Sequence, residues 1–132
     1  MLLASVRRTF RAIAVTVVPE AAALDEEGWS ALEGLVEKAL EPRPDTMKRQ
    51  LVAFVRAIEH LPRLRWGRGF SDLSGDRRTR VLSALERAPL LLLRRGFWGL
   101  RTLVFLGFYA RPEAATAIGY RADARGWEAR PR

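Results

Sequence analysis

His60 is the only histidine in the chain, and it follows Glu59 near the end of a helically periodic stretch. This pair is the nearest approach to a general acid–base couple. A zinc-protease helix needs a second histidine four residues away, and a hydrolytic triad needs a serine or cysteine working through this imidazole. The chain has no cysteine, which excludes a thiol nucleophile, a thiolate zinc site, an iron–sulfur cluster and a disulfide framework. Asp25, Glu26 and Glu27 form the densest carboxylate group, but three consecutive residues point different ways around a helix and read as a capping cluster. Gly67-Arg68-Gly69 is too short for a phosphate-cradling loop, lacks the third glycine and follows no strand. These residues supply no catalytic, cofactor or metal constellation.

Charge is the next feature that bears on partners. The 23 Lys and Arg exceed the 15 Asp and Glu by eight, but residues 1–45 hold five basic and eight acidic residues, which leaves 18 against seven in residues 46–132. Only Lys38 and Lys48 are lysines, so the cations are almost all planar guanidinium groups suited to bidentate and stacked contacts. Arg77, Arg78 and Arg80 with Arg94 and Arg95 have the makings of a phosphate-binding face. No helix-turn-helix reading unit accompanies them, and Trp98, Phe105 and Phe108 fall inside apolar runs, so the expectation is a solvated or partner-facing basic surface without nucleic acid.

The elements that must carry these residues are helical throughout. Leu2, Leu3, Val6, Phe10, Ile13 and Val17 recur at three- and four-residue steps until Pro19. Asp25 stands at an N-cap before a stripe of Trp29, Leu32, Val36 and Leu40, and Asp45 at another before Met47, Leu51, Phe54, Val55, Ile58 and Leu61. Residues 63–73 read as a loop anchored by Trp66 and Phe70. Ser74 caps a helix that buries Val81, Leu82 and Leu85, and Pro89 separates it from the apolar segment 90–110. Pro112 and Gly119 bracket a short sixth helix. The expected fold is therefore all-α: a single small helical domain of about five helices over residues 1–110, then a short helix and an extended aromatic tail over 111–132.

Segment 90–110 has the length of a membrane span, but Arg94, Arg95 and Arg101 lie within it, each costing roughly 2.5 to 3.5 kcal/mol at a bilayer centre. A core helix whose arginines emerge at its flank or pair with acids is expected, with no transmembrane span. Ser5-Val6-Arg7-Arg8-Thr9-Phe10 has the form of a twin-arginine export signal, followed by a short apolar run, Ala12 to Val18. Because this run is also a clean amphipathic helix, the expected location is the cytoplasm, with twin-arginine export to the periplasm as the alternative.

The C-terminal third concentrates Phe105, Phe108, Tyr109, Tyr120 and Trp127, together with arginines, and it ends without a further amphipathic period. Aromatics and Arg are what interface cores enrich, so Phe108, Tyr109, Arg111, Tyr120 and Trp127 are the candidate contacts with a partner. The bland reading packs Phe105, Phe108 and Tyr120 back on the chain's own helices.

The run Leu106-Gly107-Phe108-Tyr109-Ala110-Arg111-Pro112-Glu113, followed by Ala117-Ile118-Gly119-Tyr120, resembles the C-terminal signature of the gluconate 2-dehydrogenase subunit 3 family. Ala14-Val15-Thr16-Val17-Val18-Pro19 is similar to that family's first-helix exit, and Phe70-Ser71-Asp72-Leu73 to the stretch before its arginine-rich helix. Two features depart from the pattern: the signal-like run overlaps the first helix, and Arg121-Ala122-Asp123 stands where the family turns through Pro-Gly-Pro. The resemblance implies a non-catalytic small accessory subunit of a large FAD-dependent oxidoreductase of the glucose-methanol-choline type, acting on sugars or other alcohols. The FAD would lie in the partner, with a cytochrome as a third component in some complexes. A free-standing basic helical binder of nucleic acid or of a membrane surface is the competing expectation.

Overall fold

A computed structural model describes residues 2–110, and its elements are helical without exception, so the fold is all-α. Five helices carry the structure: α1 (Arg7–Val17), α2 (Glu26–Leu40), α3 (Asp45–His60), α5 (Gly75–Glu86) and α6 (Leu91–Tyr109). The single turn α4 (Arg63–Trp66) and three 3-10 segments, Leu2–Val6, Pro19–Ala23 and Phe70–Asp72, connect them. The candidate short helix after Pro112, with Arg111, Tyr120 and Trp127, lies outside the described residues.

The N-terminus departs from a continuous helix for a reason that lies on another element. The backbone N–H groups of Leu2 and Leu3 donate to the Glu37 carboxylate of α2, both at 3.0 Å, so a distant side chain satisfies donors that a helix start leaves orphaned. The tighter 3-10 winding eclipses residues three apart and sends Leu3 and Val6 into the core together. Phe10, Ile13 and Ala14 continue that face along α1, which is packed by α3, α5 and α6.

Local caps begin α2 and α5. Asp25 accepts from the Gly28 N–H at 2.8 Å, and Ser74 from the Arg77 N–H at 3.4 Å. Asp45 does not cap α3: Pro44 occupies the cap position and Asp45 is already in the first turn. On α3, Val55 and Ile58 are buried, whereas Met47 and Leu61, expected on the same inward face, stand outside. The stretch expected as a loop contains α4 and the Phe70–Asp72 turn. Gly67 closes α4 in the left-handed region at φ 70°, where its N–H reaches the Arg63 carbonyl at 3.0 Å.

Two polar clusters tie α1 to the rest. Glu33, 3% exposed, accepts from Arg7 Nε at 3.0 Å and Arg11 Nε at 2.5 Å, and Arg11 also reaches Glu26 at 2.8 Å. Glu59 accepts from Thr9 Oγ1, the Ser71 N–H and Ser71 Oγ at 2.9, 3.0 and 3.1 Å. Gly69 lies against that carboxylate so closely that a Cβ there would sit 2.0 Å from Glu59 Oε2.

Candidate partner interface

The site begins with the composition of α6. Its inward side carries Phe97, Leu100, Val104, Gly107 and Phe108. Gly107 permits the closest approach of α2, because a Cβ at that position would lie 2.9 Å from Val36 Cγ2 and 3.0 Å from the Leu32 carbonyl oxygen. A surface helix packed this way ordinarily turns polar residues outward. This one does not. Leu91, Leu92, Trp98, Leu106 and Tyr109 are exposed on the opposite side, Leu92 at 81% and Trp98 at 59%.

Leu91, Trp98, Thr102, Leu106 and Tyr109 follow one another by seven, four, four and three residues. They therefore lie along one side of a 19-residue helix about 28 Å long, with the exposed Arg95, four residues after Leu91 and three before Trp98, on that same side. The Thr102 hydroxyl donates to the Trp98 carbonyl at 2.8 Å, which removes its polarity from the face. No acidic residue occurs between Glu86 and Glu113, so the charges on α6 are its three arginines alone.

Beside these residues runs a stacked ladder. The Arg101 guanidinium lies 5.9 Å from the Trp98 ring and 5.2 Å from the Phe105 ring. Phe105 stacks on Tyr109 at 5.9 Å, and Tyr109 meets the edge of Phe108 at 4.9 Å. The expectation that the α6 arginines emerge at its flank or pair with acids resolves in favour of emergence and stacking: Arg94 and Arg95 are exposed, and none of the three makes an ion pair among the described residues.

The structure divides the expected contacts. Tyr109 is on the outward face as expected. Phe108 is 8% exposed and belongs to the core, because it lies on the arc of α6 that packs inward with Val104 and Gly107. Leu91, Leu92, Trp98 and Leu106, also exposed, are not among the expected contacts, because apolar residues on every side of segment 90–110 blur the helical period.

The other candidates separate as well. Arg78 donates to the Phe70 and Ser71 carbonyls at 3.3 and 2.6 Å and is committed to holding the turn beneath it, so it does not join a phosphate-binding face. His60 is exposed, and no group of three or more potential metal ligands occurs among the described residues. In the run resembling an export signal, Arg7 is bound to Glu33, Arg8 to Asp72, and Ile13, Ala14 and Val18 are core. No helix among the described residues is long and apolar enough to cross a membrane. No family model, no curated protein and no solved structure matches the chain.

Proposed function

We propose that this chain is a non-catalytic accessory subunit that docks the outward face of α6 onto a larger protein. The observation that carries the reading is that Leu91, Trp98, Leu106 and Tyr109 stand exposed among the described residues on a helix whose opposite side is already core. A face that mixes large apolar residues with arginine has the composition of an interface core, and Trp, Tyr and Arg are its characteristic anchors. Arg111, Tyr120 and Trp127 follow Tyr109 in sequence and extend the same chemistry.

The resemblance of residues 106–120 to the gluconate 2-dehydrogenase subunit 3 family names the partner: a large FAD-dependent glucose-methanol-choline type oxidoreductase, with a cytochrome as a further component in some assemblies. In that complex the flavin and the catalytic base belong to the partner, and this chain stabilises it by binding its folded state. Because the arginine pair and the apolar run of α1 are built into the fold, a complex that remains in the cytoplasm is the reading we favour. Co-expression with such an oxidoreductase from the same genome tests the proposal. A yellow complex eluting as one species is expected. Recovery of this chain as a separate, stable monomer that binds no hydrophobic dye, with the flavoprotein active without it, would overturn it.

A further inference from the structure

A second surface, remote in sequence from α6, carries a different signature. In Leu61-Pro62-Arg63-Leu64-Arg65-Trp66-Gly67-Arg68 the polar and apolar residues are interleaved with no acid among them. The turn is well fixed from beneath: the Trp66 N–H donates to the Pro62 carbonyl at 2.8 Å, and the indole packs against the core. From this base Leu64 projects 88% exposed and Leu61 52% exposed. Arg63, Arg65 and Arg68, beside them in sequence, are also exposed.

Arg77 of α5 adds a fourth cation, 5.5 Å from the Trp66 ring that Arg65 approaches to 5.0 Å. Two guanidinium groups from different elements thus share one indole, which concentrates positive charge. None of the four makes an ion pair among the described residues. The flanking acids are engaged elsewhere, Glu59 with Thr9 and Ser71 and Asp72 with Arg8, which leaves Asp76 as the countercharge next to Arg77 in sequence.

We infer that this turn is a docking site for an anionic membrane surface, with Leu64 and Leu61 entering the headgroup boundary and Arg63, Arg65, Arg68 and Arg77 meeting lipid phosphates and carboxylates. The inference stands on residues 61–77 alone and does not depend on the partner of α6. Exposed aliphatic side chains interleaved in sequence with exposed cations match an interface that is anionic outside and apolar just beneath. A nucleic-acid backbone offers nothing to two exposed leucines, and the one indole in the patch has guanidinium groups over it where a base would stack.

The test is sedimentation of the full chain with phosphatidylcholine vesicles, with and without phosphatidylserine. Each arginine near an anionic surface is worth roughly fivefold in affinity, so Arg63→Gln with Arg68→Gln should weaken binding about 30-fold. Leu64→Ser should weaken it about tenfold. Arg94→Gln with Arg95→Gln removes the same charge from α6 and should change it less than about twofold. All three side-chain sets are exposed, and circular dichroism checks that the helices persist. Binding that ignores phosphatidylserine, or that falls equally with both arginine pairs, overturns the inference. So does loss with Arg63→Gln/Arg68→Gln but not Leu64→Ser, accompanied by tight binding of a DNA or RNA oligonucleotide.

Discussion

Gly107 and Gly99 lie on the same helix, and the structure gives them opposite fates on substitution by alanine. In a helix interior Gly→Ala stabilises by about 0.8 to 1 kcal/mol through propensity alone. At Gly99 nothing lies within 4 Å of the added Cβ, so that gain should appear undiminished, raising Tm by about 4 °C. At Gly107 the Cβ would meet Val36 Cγ2 at 2.9 Å and the Leu32 carbonyl oxygen at 3.0 Å. A side chain can yield, but the carbonyl is α2 backbone, so α2 must withdraw and loosen the contact it makes with α6. Overpacking of this kind costs roughly 1 to 3 kcal/mol, and propensity offsets less than 1 kcal/mol of it because Gly107 is in the last turn. Gly107→Ala should therefore destabilise by about 1 to 2 kcal/mol. Urea unfolding followed by circular dichroism reads both variants, with midpoints moving in opposite directions at an unchanged slope. Equal stabilisation by the two substitutions would refute the close α2–α6 approach and with it the assignment of the inward side of α6.

Glu33→Ala should cost about 2 to 3 kcal/mol in the same assay, because it leaves the Arg7 and Arg11 guanidinium groups without their shared carboxylate, and their partial exposure moderates the loss. Hydrogen bonding to Glu26 and then to Glu33 raises the Arg11 pKa, and the same guanidinium holds the exposed Glu26 carboxyl below its usual range. The contribution of Glu26 is thus present at neutral pH and lost as pH falls through its lowered pKa. A pH series of unfolding midpoints should show this decline in wild type and lose it in Glu26→Gln, with the difference shrinking at high salt. Gly69→Ala should destabilise by about 1 to 3 kcal/mol by displacing the Glu59 carboxylate from its three donors, and combining it with Glu59→Ala should add little beyond either change alone.

The caps at Asp25 and Ser74 were legible because an N-cap is a local signature, written within four residues of the backbone it satisfies. The 3-10 start at Leu2 was not, because the carboxylate that receives its N–H groups is 35 residues away. Periodicity separated core from surface where helices are amphipathic, as for Trp29, Leu32, Val36 and Leu40 on α2. On α6 large apolar residues occupy both sides, with only three arginines among them, so period separates the sides poorly. Trp98 and Phe108 look alike in sequence, and the glycine-mediated contact with α2 decides which one turns inward. The apolar period of α3 runs on to Met47 and Leu61, which stand exposed at its two ends while Val55 and Ile58 between them are buried. The turn at Arg63–Trp66 was concealed by its brevity, since a single helical turn cannot display a period.

Coverage of the outward face of α6 by a partner is measured by the dissociation constant of the proposed flavoprotein complex with Trp98→Ala in this chain. Trp98 is more than half exposed and lies at the middle of that face, so the variant should keep its helical content. Association should weaken at least tenfold, about 1.4 kcal/mol or more, as expected for a central aromatic anchor. An unchanged dissociation constant with a folded variant would contradict it.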